Sequence, residues 1–175
     1  INKWLKILKK KNIFIIGITG QDGSYLSHLL IKKGYNVIGF TRNKKKNFNL
    51  KKIGVFDNIK LFQYRHANTI NKKILKLKPL QIYNLSGQSS VSQSFNDPLE
   101  TYESNIVLLF ELLEFCRLNK IKSSIYNACS TDCFGNFQKK KFNEETSFAP
   151  LSPYGRSKSF AFWIVKYYRE IFNLN

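Results

Sequence analysis

Short apolar runs alternate along this chain with helix-length stretches of mixed character, the pattern of strand–helix–strand units on a parallel sheet. Ile13–Gly17 is almost wholly apolar and enters a glycine-punctuated turn, as a strand buried on both faces would. Ser24–Lys33 places Tyr25, Leu26, Leu29 and Leu30 at helical spacing, and Gly34 follows as a C-cap. Asn36–Phe40 predicts a second strand. Residues 43–58, rich in Lys and Asn and without a clear period, predict a connection with about one turn of helix. Lys60–Tyr64 predicts a third strand, Ile70–Leu77 a short helix, and Gln81–Leu85, beyond Pro79, a fourth strand. Asp97-Pro98-Leu99-Glu100 is a helix start, with an N-cap acid, Pro in the first turn and Glu at the third position. That helix is expected to reach Leu118, with Tyr102, Ile106, Leu109, Phe110 and Leu113 on its apolar side. Ser123–Ala128 predicts a fifth strand, followed by a polar turn and a loop. A last helix starts near Pro153 and continues past Tyr168. No repeat or linker divides the chain, so one α/β domain with a doubly wound parallel sheet is expected over residues 12–175, behind a basic extension at 1–11.

Composition narrows this picture without changing it. A chain of 175 residues, 43% hydrophobic and 15% aromatic, is long and apolar enough for one substantial core. The run Ile13–Ile18 is too short to span a bilayer. Gly17 and Gly20 break it, and no small-residue cleavage site follows, so it does not read as a signal peptide. A cytoplasmic protein with no membrane partner is expected. Three cysteines cannot all pair within one chain, and Cys129 and Cys133 lack a second Cys pair or a His cluster nearby; free thiols and no metal are expected. The formal charge of +18 invites a nucleic-acid reading. The positive residues are nearly all Lys and are spread along the whole chain, which reads as compositional bias, so no nucleic-acid partner is expected. A basic surface still favours anionic ligands such as nucleotide diphosphates.

The first turn carries the first chemistry. Gly17-Ile18-Thr19-Gly20-Gln21-Asp22-Gly23 lies between strand and helix, where a dinucleotide pyrophosphate sits. The first Gly permits the tight turn, the second lets backbone approach phosphate, and the third allows close strand–helix packing, with helix N-terminal amides facing the anion. About twenty residues on, the second strand ends at Thr41-Arg42-Asn43-Lys44. An acid there would favour the ribose hydroxyls of NAD; Arg42 favours a 2′-phosphate, so NADP is the expected cofactor. The plainer reading of Arg42 is a surface base in a Lys-rich chain.

Tyr154 and Lys158, four apart at a helix start, share one face. An ordinary tyrosine, with a pKa of about 10, is a poor base at neutral pH. A nearby ammonium, together with cofactor charge, brings it into range. Tyr-x-x-x-Lys alone is common; after the glycine turn and the polar strand end Ser130-Thr131-Asp132, it becomes a constellation.

These residues carry a resemblance. Gly17-Ile-Thr-Gly-Gln-Asp-Gly-Ser-Tyr-Leu26 resembles the opening of GDP-mannose 4,6-dehydratases, within the extended short-chain dehydrogenase/reductases. Ile82-Tyr-Asn-Leu-Ser-Gly-Gln-Ser-Ser-Val91 is similar to the segment after that family's fourth strand. Ser130-Thr-Asp-Cys-Phe-Gly135 and Ser152-Pro-Tyr-Gly-Arg-Ser-Lys158 are similar to its catalytic segments, and Phe162-Trp163 with Tyr168-Arg169-Glu170 continue the likeness. The resemblance spans about residues 12–175 and implies a Rossmann-like fold. It also implies a substrate, GDP-mannose or a related sugar nucleotide. Tyr154 would take the C4 hydroxyl proton while hydride passes to NADP. Asp132, in place of the family's usual Glu, would remove the C5 proton; water would leave C6 and hydride return there. Ser130 would hydrogen-bond near C4, and Lys158 would hold the nicotinamide ribose. Gly17, Thr19, Gly20, Gln21, Asp22, Gly23, Arg42, Leu85 and Gln88, with Tyr154 and Lys158, would contact the cofactor; Ser89, Ser90 and Ser130 would contact the sugar. The helices near 98–118 and 153–172 resemble the pair through which the family self-associates, although their aromatics also suit an ordinary core.

The departures are specific. Asp132 is one methylene shorter than Glu. Tyr64-Arg65-His66-Ala67-Asn68 lacks the acid usually near the adenine. There is no initiating Met, and the chain is expected to end before a C-terminal substrate domain that would grip guanosine. Asp132 also suits a plain turn cap, and Ser130 a structural strand-end hydroxyl. The alternatives are another sugar-nucleotide dehydratase, epimerase or reductase, and a non-catalytic remnant that binds nucleotide.

Overall fold

The computed structural model describes residues 11–135 and 141–175. The expected basic extension, Lys11 apart, lies outside them. Five parallel strands form one sheet: β1 (Asn12–Ile16), β2 (Asn36–Thr41), β3 (Lys60–Gln63), β4 (Gln81–Asn84) and β5 (Ser124–Asn127), in the order β3-β2-β1-β4-β5. The helices are α1 (Gln21–Lys32), α2 (Phe48–Lys52), α3 (Ala67–Leu77), α4 (Val91–Asn96), α5 (Pro98–Tyr102), α6 (Leu108–Leu118) and α7 (Pro153–Phe172).

The period of two along a strand separates the core into two layers. Phe14, Ile16, Ile38 and Phe40 face a cluster with α3, α6 and α7, while Ile13, Ile15 and Val37 face Ile18, Leu30 and Leu50 on the other side. Ile13 through Ile16 are fully buried, so β1 is the sheet's covered centre. Each such side chain contributes about 1.5–3 kcal/mol of burial, which is why the sheet interior, and not the Lys-rich exterior, sets the architecture. The fold is the expected doubly wound Rossmann-like sheet. Strand order reverses between β1 and β4, which opens a crevice outside their carboxyl ends.

Three local expectations change. Helix α1 starts at Gln21, three residues early, and turns Gly23, Ser24, Ser27 and Leu30 inward, leaving Tyr25 and Leu29 exposed. The cause is close approach: a Cβ on Gly23 would stand 2.6 Å from the Ile18 Cα, so only small residues fit along that seam. Helices α5 and α6 form one continuous run through a π turn at Glu103–Val107. The extra residue rotates the face, so Leu109, Leu112, Leu113 and Cys116 are buried whereas Phe110 is exposed, edge-on to Tyr168. Helix α4 arises where no element was expected; it buries only Ser94, which leaves no apolar period to read.

The helix starts follow their caps. The Asp97 carboxylate accepts from the Glu100 N–H at 3.0 Å, and the Ser152 hydroxyl from the Gly155 N–H at 2.9 Å, ahead of Pro153. Among the described residues, no helix is long and apolar enough to cross a membrane.

Candidate active site

The glycine turn after β1 is constrained on two separate grounds. Gly17 has φ +84°, and a Cβ there would stand 2.7 Å from the Leu85 carbonyl oxygen at the exit of β4. Gly23 is held by the α1 seam. Gly20 differs: the first atom its Cβ would meet is the Gly17 oxygen, at 3.3 Å. Protein packing hardly demands glycine there. Its position in the wall of a cavity of about 550 Å³ does, because it offers a ligand bare backbone. The amides of Gln21, Asp22 and Gly23 have no partner within the helix, and these residues line the same cavity. This is a cradle for an anion.

Of the residues expected to hold cofactor, Gly17, Thr19, Gly20, Gln21, Asp22, Gly23, Arg42 and Leu85 all line this cavity, with Lys46 adding positive charge. Ser89, expected beside the sugar, lines it as well. The Thr19 and Thr41 hydroxyls meet at 3.0 Å and tie the turn to the end of β2. Arg42 is engaged: its Nη1 lies 3.1 Å from Glu100 Oε1, in a half-exposed ion pair. Arg42 and Tyr64 also border a second hollow of about 320 Å³, lined by Arg65, His66, Glu100 and Glu103. Tyr64 is buried, which pushes its phenol up, while a hydrogen bond with Ser86 opposes that shift.

Gln88 and Ser90 take structural partners. The Gln88 N–H donates to the Ser104 hydroxyl at 3.1 Å, and its side-chain amide donates to the Ser90 carbonyl at 2.8 Å. Ser90 caps α4, accepting from the Gln93 N–H at 3.2 Å.

The second part of the site is assembled from side chains. Asn84 donates to Asn127 at 2.8 Å and accepts from the Ser86 hydroxyl at 2.6 Å, which locks the ends of β4 and β5. Beyond β5 a 3₁₀ turn, Thr131–Phe134, carries Ser130 as its cap. The Ser130 hydroxyl donates to Asp132 Oδ2 at 3.1 Å. Gly155 lets α7 dock on this turn, since a Cβ there would stand 2.6 Å from the Asp132 carbonyl oxygen. That docking brings Tyr154, one residue earlier, to the Ser130 hydroxyl. Ser130, Asp132 and Tyr154 therefore meet beyond the end of β5, and Lys158, one turn further along α7, lies within electrostatic reach of Cys129 and Cys133.

The electrostatics differ from expectation in one direction. Burial pushes the Tyr154 phenol above its ordinary value, the Ser130 hydrogen bond draws it back, and the Asp132 charge raises it again. Lys158 is buried too, which lowers its ammonium. Lowering the phenol therefore requires positive charge beyond what the chain places there.

One buried residue was missed. Asn105, in the π turn, donates to the Gln88 carbonyl at 3.1 Å and to the Ser157 hydroxyl at 2.9 Å, while Ser157 donates to the Tyr154 carbonyl at 2.7 Å. It connects the β4 exit to the first turn of α7. Gly87, at φ +123°, is glycine because its Cβ would collide with Asn105 Oδ1. The available signal was a lone amide ahead of Ile106-Val107-Leu108-Leu109.

A glycine turn at the switch point and a Ser130–Tyr154 contact beyond β5 stand on a doubly wound α/β fold of the epimerase and dehydratase kind. A UDP-N-acetylglucosamine 4-epimerase from Methanobrevibacter ruminantium superposes with TM-score 0.83 at 25% identity, over 96% of this chain and 53% of that one. A UDP-glucose 4-epimerase from Brucella ovis, solved with NAD, gives 0.82 at 20% identity, over 94% and 50%, a likeness of fold alone. The family described as GDP-mannose 4,6 dehydratase matches residues 14–175, and the chain belongs to that family. A human GDP-mannose 4,6 dehydratase is 36% identical over 184 residues, covering 95% of this chain and 48% of the relative. A Vibrio cholerae GDP-mannose 4,6-dehydratase is 33% identical over 177 residues, covering 94% and 47%. The chain spans about half the length of these relatives.

Proposed function

We propose that this chain supplies the cofactor cradle and the proton-transfer groups of a GDP-mannose 4,6-dehydratase that uses NADP and yields GDP-4-keto-6-deoxy-mannose. The observation that carries the reading is the meeting of Tyr154, Ser130 and Asp132 beyond the end of β5, on a sheet whose first turn requires glycine at Gly17 and Gly23.

NADP bound along the cavity supplies a hydride acceptor for C4 and the hydride later returned to C6. The chain's own residues handle the protons. Tyr154 takes the proton of the C4 hydroxyl, with Ser130 bridging phenol and sugar oxygen. Lys158 holds the ribose, and its charge together with that of the bound cofactor stabilises the phenolate. Once C4 is a ketone, the C5 proton becomes acidic and Asp132 removes it. The same carboxyl then gives a proton to the C6 hydroxyl, which departs as water; as hydride returns to C6, C5 takes a proton, balanced by the one Tyr154 removed from the C4 hydroxyl. Gln88, Ser89 and Ser90 are the proposed edge of the sugar site. Arg42 is the proposed partner of the 2′-phosphate. It must first leave Glu100, and an exposed pair of this kind is worth about 0.2–1 kcal/mol, less than charge-assisted bonds to a phosphate provide.

Conversion of GDP-mannose in the presence of NADP, followed by appearance of the 4-keto product, tests the reading. Calorimetric NADP binding without that product leaves a nucleotide-binding protein and removes the dehydratase. A second reading, a sugar-nucleotide epimerase, is favoured by the 25% identical 4-epimerase neighbour and by the shorter side chain of Asp132. Asp132→Asn separates the two, because epimerisation needs no base at C5 and dehydration does.

The outer faces of α6 and α7 expose Phe110, Trp163, Tyr167 and Ile171, and self-association through them is proposed, with sedimentation as its check. Three free thiols suit the reducing cytoplasm as the working compartment.

A further inference from the structure

Two residues with no part in the proposed reaction bracket two that have one. Cys129 and Cys133 flank Ser130 and Asp132, and their Sγ atoms stand 3.6 Å apart across the 3₁₀ turn. Cys129 is exposed and Cys133 is fully buried. The third cysteine, Cys116, is enclosed in α6, where burial pushes its thiol up to about 12. A disulfide needs sulfurs about 2.05 Å apart, so closing the pair asks for roughly 1.5 Å of movement within one turn.

We propose that Cys129 and Cys133 are an oxidisable dithiol: a modification site at which a hydroperoxide converts the pair into an intrachain disulfide clasping the Ser130–Asp132 turn. The two thiols have unequal roles. The hydrogen bond shared with Cys133 lowers the Cys129 thiol, burial opposes that and the Lys158 charge aids it, so the exposed sulfur is the one favoured as thiolate. Cys133 is pushed up by the same contact and by burial, and it keeps its proton.

The Cys129 thiolate therefore attacks the terminal peroxide oxygen. An S–O bond forms, the O–O bond breaks, and hydroxide or alkoxide leaves and takes a proton from water. The Cys129 sulfenic acid then meets Cys133: the S–S bond forms, the S–O bond breaks, and the departing hydroxide carries off the Cys133 proton as water. Two thiols are oxidised by two electrons and one hydroperoxide is reduced. The Cys133 N–H bonds the Ser130 carbonyl at 3.3 Å and the Cys133 carbonyl accepts from Ala149 at 2.9 Å, so the clasp pulls on the turn under Tyr154 and on the loop beside it.

The test is a peptide map of the protein after hydrogen peroxide and alkylation. The expected product is a peptide containing both Cys129 and Cys133, lighter by two hydrogens and resistant to alkylation until dithiothreitol is added, with Cys116 still alkylated. In Cys133→Ser, the Cys129 sulfenic acid should accumulate and be trapped by dimedone; in Cys129→Ser, Cys133 should remain alkylable after denaturation at the same dose. Sulfinic acid at Cys129 with Cys133 intact, or a Cys129-linked dimer as the main product, would overturn the proposal. So would Cys116 reacting first. The map on the unaltered chain depends neither on the variants folding nor on the dehydratase reading. Only the effect rests on that reading: there, the disulfide form should lose at least tenfold in turnover and recover on reduction, and an undiminished rate would sink that effect.

Discussion

At the β1–α1 turn the working surface is backbone. Gly17 and Gly23 admit no side chain, Gly20 offers bare amide to the cavity, and the helix N-terminus supplies the charge preference. At the end of β5 the working surface is side chain. Ser130, Asp132, Tyr154 and Lys158 come from two segments that meet only because Gly155 lets α7 sit on the 3₁₀ turn. In the proposed reading the first region binds through groups every residue has, so what it requires is the absence of Cβ atoms. The second would work through groups only particular residues have, so what it requires is their placement.

The sharpest break in the comparison is Tyr154→Phe. Removing the phenol at the side-chain end should cut GDP-mannose turnover about 10²–10⁴-fold while leaving NADP affinity, read by calorimetry, within about threefold. Equal losses of both would show that the two regions are not separable. Asp132→Asn should stop dehydration while still allowing hydride transfer to NADP, seen as rising nicotinamide absorbance. Asp132→Glu, which restores the missing methylene, should raise turnover about tenfold if reach limits the step. A fall instead would place Asp132 as a turn cap.

Gly17→Ala probes the backbone end. Its Cβ collides with the Leu85 carbonyl at a positive φ, so a loss of about 1–3 kcal/mol in stability is expected, together with NADP binding weakened more than tenfold. Unchanged binding would remove the cradle from the site. A smaller effect is expected at Glu100→Gln. Freeing Arg42 should tighten NADP about two- to fivefold over NAD, in keeping with an exposed pair, and no change in that ratio would return Arg42 to the surface.

The smallest effect lies away from the crevice. Hydrogen bonds from Arg117 and then Tyr168 hold the Glu114 carboxyl down to about 2 from an ordinary 4.5. Its folded value lies below its unfolded one, so its stabilising share is present above pH 4.5 and lost as pH falls from there toward 2. Glu114→Gln should flatten melting temperature against pH in that window and leave neutral-pH cofactor binding untouched.

Much of this was legible along the chain. Unbroken apolar runs marked β1 and β2, since a strand covered on both faces has no polar side to alternate with. Capping chemistry marked α5 through Asp97, because a cap is a contact between residues three apart, and Pro153 marked the start of α7. The buried face of α1 was misjudged, because helical spacing names the apolar stripe only where neighbours leave room for large side chains. At Gly23 they do not. The Arg42–Glu100 pair left no local trace, Asn105 left only a lone amide ahead of an apolar run, and the upward push on the Tyr154 phenol is a property of burial, which spacing cannot report.

The amino-acid order alone determined the strand and helix succession, the glycine turn, the caps and the roster of reactive groups, since these depend on neighbours a few residues away and on intrinsic backbone preference. Tertiary packing alone decided which of those groups meet. Asn105 reaches Gln88 and Ser157 across 17 and 52 residues. Contacts at such separations follow from how whole elements pack, because a side chain's partners are set by the volume and shape of everything around it.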